Sequence, residues 1–486
     1  MPRRIPRAAW LAAPMAFFLY IYGLGAAGLI GPDEPRYASI AREMARSGDW
    51  ITPRLWGSPW FEKPALLYWM AGVGYRLGLG PEWAPRLPVA LASVAFLAFF
   101  WWILWREFGC RAAWFGTLIL GTCVAWIGFS EACVTDLPMT AAFSAAMLLA
   151  LPWIAKGDAR LLPASGAMLG LAVLAKGLVP VALAAPLVLG LRSARRDSWP
   201  RIAGAAAAFF AVSLPWYLLC YARNGRAFLD EFFWKHHFER FSGAAIHPQP
   251  WYFYLPVLLG LLAPWTPALP YLAQRPLYRD RRLAFLLAWL LFGLVFFSAA
   301  ENKLAGYLLP LLPAAAALAG IALDRAPRAR WALLFCAATL IVFPIDATYL
   351  PIALAEGMSR APRPAFHWTW LLPLVLAAVA WALETRGRRF IAVFAIAAGA
   401  AAGTAYLKTA AAPDLDRIAS ARTLWNQVAA RAAEACVDEV DRNLRYGLNY
   451  YSVTPLPDCS EAPRPVRIGR SVDRRASGSV ISPFRD

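Results

Sequence analysis

The chain has 486 residues, 60% of them hydrophobic and only 16% charged, with a mean hydropathy of +0.47. Soluble globular proteins run at about 45–50% apolar and about 25% charged, and the apolar excess here arrives in repeated blocks of about 20 residues, the length that crosses a bilayer. A net charge of +18 does not point to nucleic acid, because the arginines fall between apolar blocks and no basic run is interleaved with exposed aromatics; they read as topology signals and contacts to anionic lipid.

The N-terminus opens MPRRIPR and continues into an apolar run of about 20 residues, longer than the 7–15 of a signal-peptide core. No small-residue cleavage site precedes Asp33, so an uncleaved first span is expected. Apolar windows then place thirteen spans near 8–30, 86–105, 112–129, 135–154, 160–176, 178–191, 200–222, 251–272, 283–300, 304–323, 331–350, 368–384 and 389–407. Prolines inside several of them (Pro180, Pro186, Pro264, Pro310, Pro313) are tolerated where neighbouring helices re-satisfy the freed carbonyls. With a cytoplasmic N-terminus, the segments PRRIPR, WREFGCR, KGDAR, RSARRDSWPR, QRPLYRDRR, DRAPRAR and ETRGRR all fall on one side and all are rich in Lys or Arg, as the positive-inside rule requires. The odd number of spans sends the C-terminus to the other side.

That other side also receives residues 31–85, wedged between two apolar segments. Within it, 34–47 reads as an amphipathic helix with Tyr37, Ile40, Ala41 and Met44 on one face. A second, over 66–77, would place Leu66, Leu67, Met70, Val73 and Leu77 together. A third is expected at 227–241. Helices of this kind lie in the interface plane. The last ~80 residues alternate polar and apolar residues, and read as a small soluble α/β unit from 408 to 486, with a helix near 414–434 followed by strands, appended to a membrane domain of 1–407. Cys436 and Cys459 are its only cysteines; they either pair on an oxidising side of the membrane or stay free thiols.

Charges so close to hydrocarbon mark function unless they face water. Asp33 and Glu34 end the first span, either as caps on the following helix or as catalytic carboxylates, Asp33 serving as general base. Lys63, just before Pro64 and an apolar helix, either snorkels or offers a positive charge to a phosphate. Asp136, in a tight outer turn, is a helix cap or a second acidic site residue. Lys303 and Tyr307 occupy another outer turn, where Lys303 is a candidate donor-phosphate contact and the tyrosine either packs in the core or hydrogen-bonds a phosphate oxygen. Of His236 and His237 only one at a time can join Glu62 in a loose divalent-metal site, short of the donors of a structural zinc centre. No P-loop, dinucleotide fingerprint or Ser-His-Asp spacing stands out.

These residues sit in strings that follow one another in the order DEPRYASIAREMARSGDWITPRLWGSPWFEKPALLYW, VTDLP, GLAVLAKGLVP, FFWKHHFERF, PWYFYLPVLLGLLAPW and ENKLAGYLLPLLP. In that order and over most of its length the chain resembles the bacterial ArnT and protein O-mannosyltransferase superfamily of GT-C glycosyltransferases. The resemblance implies a polytopic all-α GT-C fold with periplasmic juxtamembrane helices in a bacterial inner membrane. It also implies an inverting glycosyltransferase that takes a sugar from undecaprenyl phosphate to a lipid or glycan acceptor on the periplasmic side, 4-amino-4-deoxy-L-arabinose to lipid A being one such transfer. Carried over by position, it makes Asp33 the principal catalytic carboxylate, with Asp136 as the second acid. Lys63, Arg36 and Tyr307 become donor-phosphate contacts, and Glu62 with His237 the pair for a divalent ion. Trp60 stands where ArnT proteins carry a tyrosine. A monomer is expected, and the rival reading is a transporter or flippase of a lipid-linked saccharide, which would spread polar residues through the span midplanes on both sides. The enzyme reading requires Asp33, Lys63 and Asp136 to converge at the outer leaflet.

Overall fold

A computed structural model describes residues 10–194, 196–239, 248–357, 361–363, 365–470 and 479–483. Apolar segments in hydrocarbon must satisfy their backbone groups internally, so they form helices. Among the described residues, eight helices are long and apolar enough to cross a bilayer: Gly80–Phe108, Asp136–Lys156, Trp199–Asn224, Arg281–Ala299, Ala305–Arg325, Arg330–Leu354, Trp368–Thr385 and Arg389–Ala419. Two bent pairs, Cys110–Thr122 with Val124–Ser130 and Tyr254–Leu261 with Thr266–Ala273, raise the number to ten if each is one span. Helices occupy all thirteen expected apolar segments, but Leu162–Lys176, Val179–Arg192 and the nine-residue Ala12–Tyr20 fall below the length of a span.

Small residues let the helices approach closely. A Cβ on Gly166 would come within 2.0 Å of the Ala205 carbonyl oxygen, and one on Gly170 within 2.6 Å of that of Phe209. This glycine pair, four residues apart, seats Leu162–Lys176 on Trp199–Asn224. Gly320 likewise faces Gly116, where a Cβ would lie 2.3 Å from the Gly116 nitrogen. The buried core is continuous from Met15 to Ala401.

After α1 (Ala12–Tyr20), α2 runs from Asp33 to Ser47 and stops at Gly48, whose φ of 75° provides the left-handed C-cap. Its expected apolar face, Tyr37, Ile40, Ala41 and Met44, is buried. The expected face of α3 (Leu66–Arg76) is corrected: Leu67, Tyr68, Ala71, Gly72 and Gly74 are buried, whereas Val73 and Leu77 are 51% and 69% exposed. The small residues face inward here because α4 (Gly80–Phe108) presses on them, a Cβ on Gly74 lying 2.2 Å from the Ala84 oxygen. The third expected amphipathic helix is a short α-helix, Arg226–Leu229, continued in π geometry through Glu239; residues 240 and 241 lie outside the described part.

The last span does not end at 407. Its α-helix continues to Asp414 and in π geometry to Ala419. Beyond it come Arg422–Val428, a strand Ala435–Val437, a helix Arg442–Tyr451 and strands Val466–Arg470 and Ser479–Pro483. Val466–Arg470 is the middle strand, parallel to the first and antiparallel to the third. Asp441 caps the helix, its Oδ1 accepting from the Asn443 and Leu444 amides.

Candidate active site

The alternation of the spans along the chain brings the start of α2, the 131–136 turn, the end of Leu162–Lys176 and the start of Ala305–Arg325 to one end of the bundle. At that end α2 contributes Asp33 and Arg36, one turn apart. Arg36 Nη2 lies 2.6 Å from Asp33 Oδ1 and 3.1 Å from Glu62 Oε2, and Lys63 Nζ lies 3.3 Å from Glu62 Oε1. Four charged residues from α2 and the 62–63 loop thus form one ion-paired chain, in which Arg36 is 3% and Asp33 52% exposed. Asp33 is the member open to an incoming substrate.

Aromatic rings enclose the Arg36 guanidinium, which lies 5.1, 5.7 and 5.6 Å from the ring centres of Tyr37, Trp60 and Tyr446. Trp60 thus offers the cation a ring face. Burial works to lower the Arg36 pKa, but Tyr37, Glu62 and Asp33 outweigh it and the net shift is upward. Burial likewise pushes the Tyr37 and Tyr68 hydroxyls well above their ordinary value, with Glu62 adding to both. Arg36 Nε and the Tyr68 hydroxyl are buried without a hydrogen-bond partner among the described residues, two donors directed into this cluster.

A second cluster forms around Lys176, at the last turn of Leu162–Lys176. Its Nζ lies 2.6 Å from Asp136 Oδ1 and 5.2 Å from the centre of the Tyr307 ring. Asp136 and Tyr307, expected from the sequence, thus meet through a lysine that was not singled out. Its signal was present: a lysine before Gly177 at the end of an apolar helix. The two clusters are tied together. Glu34 Oε1 accepts from the Cys133 amide, three residues before Asp136, and Phe61 and Ala65, which flank Glu62 and Lys63, share a buried cluster with Leu174, two residues before Lys176.

Glu34 and Lys303 are corrected. Arg86 grips both Glu34 oxygens, Nε to Oε1 at 2.7 Å and Nη2 to Oε2 at 2.8 Å, and the Ile30 and Cys133 amides also donate to them. Arg86 donates further to the carbonyls of Leu24, Ala27 and Gly28. Glu34 is 4% exposed and braces the link between α1 and α2, with no oxygen left for catalysis. Lys303 is buried and donates to the Gln249 and Ala300 carbonyls, which makes it a loop pin. The suggested metal pair is incomplete on its described side: the Glu62 carboxylate is engaged by Arg36 and Lys63, the His237 side chain lies outside the described residues, and no group of three or more His, Cys, Asp or Glu gathers among those described. Cys436 and Cys459 are joined as a disulfide.

The C-terminal elements also reach the site. Besides Tyr446 over Arg36, the Tyr450 carbonyl accepts from Arg42 Nη2 at 2.7 Å, the Tyr450 hydroxyl meets that of Tyr75 at 2.7 Å, and the Tyr451 hydroxyl accepts from the Leu29 amide at 3.0 Å. The Arg442–Tyr451 helix therefore sits on α2.

Residues 62–217 match the family described as dolichyl-phosphate-mannose-protein mannosyltransferase. The undecaprenyl phosphate-alpha-4-amino-4-deoxy-L-arabinose arabinosyl transferase of Pseudomonas aeruginosa is 34% identical over 339 residues, 65% of this chain and 60% of the relative. Its namesake from Serratia proteamaculans is 33% identical over 340 residues, with the same coverage; the match thus spans about three fifths of the curated relatives' length. The crystal structure of ArnT from Cupriavidus metallidurans bound to undecaprenyl phosphate superposes with a TM-score of 0.76 at 27% identity, over 96% of this chain and 93% of that one. The arabinosyltransferase EmbB from Mycobacterium smegmatis shares the fold at 15% identity, with a TM-score of 0.53 over 85% of this chain and 42% of that one. With paired charges at one end of a helical bundle, the chain is similar to these arabinosyl transferases over about three fifths of their length, and to the ArnT structure along nearly its whole length.

Proposed function

We propose that this protein is an inverting glycosyltransferase of the bacterial inner membrane, moving 4-amino-4-deoxy-L-arabinose from undecaprenyl phosphate to lipid A on the periplasmic side. The observation that carries it is the ion-paired set Asp33, Arg36, Glu62 and Lys63, linked to Asp136, Lys176 and Tyr307. Its cations suit a phosphate leaving group and its exposed carboxylate suits the attacking oxygen. The relatives' names supply the donor and the sugar.

In the reaction an acceptor oxygen bonds to the anomeric carbon as the carbon–oxygen bond to undecaprenyl phosphate breaks, and the phosphate keeps the electron pair. Arg36 and Lys63 take up that developing charge. Asp33 accepts the proton if the acceptor is a hydroxyl; if it is a phosphate, already ionised, Asp33 orients it. The three short apolar helices complete thirteen membrane passages, with the N-terminus cytoplasmic, the residues after the last span forming a periplasmic domain, and the protein acting as a monomer.

Purified protein in detergent with undecaprenyl-phosphate aminoarabinose and lipid A tests this through release of undecaprenyl phosphate, which a flippase would not produce. Asp33→Asn should lower turnover by about 100-fold or more. Retention of full turnover by that variant overturns the assignment.

A further inference from the structure

A cavity of about 330 Å³ lies between the outward flank of α2, the Trp56-Gly57 turn and the Val453–Pro455 segment that follows the Arg442–Tyr451 helix. That volume is at the lower end of the roughly 300–1,000 Å³ usual for small-molecule sites. Its lining includes Ser39, Arg42, Glu43, Arg46, Trp56 and Thr454, so cations and hydrogen-bond donors dominate. Glu43, the carboxylate among them, is engaged: its Oε1 accepts from the Gly57 amide at 3.0 Å.

Arg42 is held in place by the Tyr450 carbonyl and by that residue's ring, 4.5 Å away. Desolvation lowers its pKa, the direction expected of a buried cation whose charge an incoming anion would stabilise. Arg46 is exposed and forms no ion pair with a described residue. Ser39 is only 4% exposed, yet its hydroxyl has no hydrogen-bond partner among the described residues, and neither has the Trp56 indole nitrogen. A buried polar group left so costs about 1–3 kcal/mol, and two beside one cavity call for a ligand that supplies acceptors.

The cavity adjoins the catalytic cluster. Arg36, Ser39, Glu43 and Arg46 follow one another along a single flank of α2. Trp56 stacks on Tyr446 at 5.6 Å, and Arg36 lies over that same ring at 5.6 Å, so one tyrosine separates the cavity from the Asp33–Arg36 pair. Helical rise places Ser39 about 9 Å along the axis from Asp33, within the span of a disaccharide-sized head group.

We propose that this cavity binds a sugar-borne phosphate of the acceptor while another part of the same acceptor reaches Asp33. The inference rests on the transferase reading above. Arg46 and Arg42 would meet the phosphate charge, and Ser39 and the Trp56 indole would donate to its oxygens or to sugar hydroxyls.

Two measurements on the full chain in detergent test it. First, equilibrium binding of glucosamine 1-phosphate, inorganic phosphate and glucosamine is compared. The sugar phosphate should bind more tightly than either alone, Arg46→Ala should weaken it about tenfold, Arg46→Lys should weaken it less, and Ser39→Ala should also lose affinity. Failure of the wild type to bind the sugar phosphate, or equal binding by Arg46→Ala, overturns the proposal, and tighter binding of inorganic phosphate alone replaces it with a simple anion site. Second, in the transfer assay Arg46→Ala should raise KM for lipid A about tenfold, with the effect absent from the affinity for undecaprenyl phosphate; an unchanged KM overturns the proposal. A wild-type chain that binds the sugar phosphate yet transfers nothing would defeat the transferase reading and not the binding site.

Discussion

Asp33 and Glu34 are neighbours in the chain with opposite fates. Asp33 is half exposed beside Arg36, whereas Glu34 points inward onto Arg86 with both oxygens satisfied. Removing one partner of a buried ion pair leaves an uncompensated charge, at about 3–5 kcal/mol. Arg86→Ala is therefore expected to destabilise the folded protein by an amount of that order, read as thermal unfolding in detergent, while Asp33→Asn leaves the unfolding temperature close to wild type and removes turnover. Asp33, Arg36, Glu62 and Lys63 were legible because they lie within one short stretch, and Asp136 and Tyr307 because each stands in a turn between apolar segments. Arg86, Lys176 and Tyr446 were not, because each meets its partner only through folding, 52 residues away for Arg86 and Glu34 and 40 for Lys176 and Asp136.

Among the helices, hydropathy located every apolar segment but not its length, because prolines and glycines shorten several of them. Val179–Arg192 starts with Pro180 and tightens into 3-10 geometry, so an apolar window alone overstates its reach. The Arg442–Tyr451 helix escaped detection because Asn-Tyr-Tyr reads as strand, and Asp441 was the overlooked start signal. The glycine pair Gly166 and Gly170 makes a sharper case. With backbone atoms 2.0 and 2.6 Å from where their Cβ atoms would sit, Gly166→Leu must push Leu162–Lys176 away from Trp199–Asn224. Overpacking of this kind destabilises by about 1–3 kcal/mol. Because Lys176 ends that helix, turnover should fall as well, and Gly204→Ala, whose Cβ would meet nothing closer than 3.5 Å, is the control in the same unfolding and transfer assays.

At the scale of the whole molecule, residues after the last span contribute contacts to the candidate site. Tyr446 supplies one wall of the Arg36 enclosure and Tyr450 anchors Arg42. Tyr446→Ala removes a cation–π contact of about 1 kcal/mol and should reduce turnover several-fold, with Tyr446→Phe near wild type because the ring face is what Arg36 meets; transfer rates of the two variants check this.

Asp33, Glu62 and Asp136 each already hold a cation: Arg36 serves the first two, Lys63 also serves Glu62, and Lys176 serves Asp136. The resting protein is thus its own counter-ion. Under the proposed function an arriving donor phosphate enters by exchange, displacing a resident carboxylate and setting Asp33 loose only once the donor is seated. It follows that Glu62→Gln, by deleting a competitor for the same cations, should tighten undecaprenyl phosphate binding, by up to about tenfold; a titration showing weaker binding would contradict the exchange.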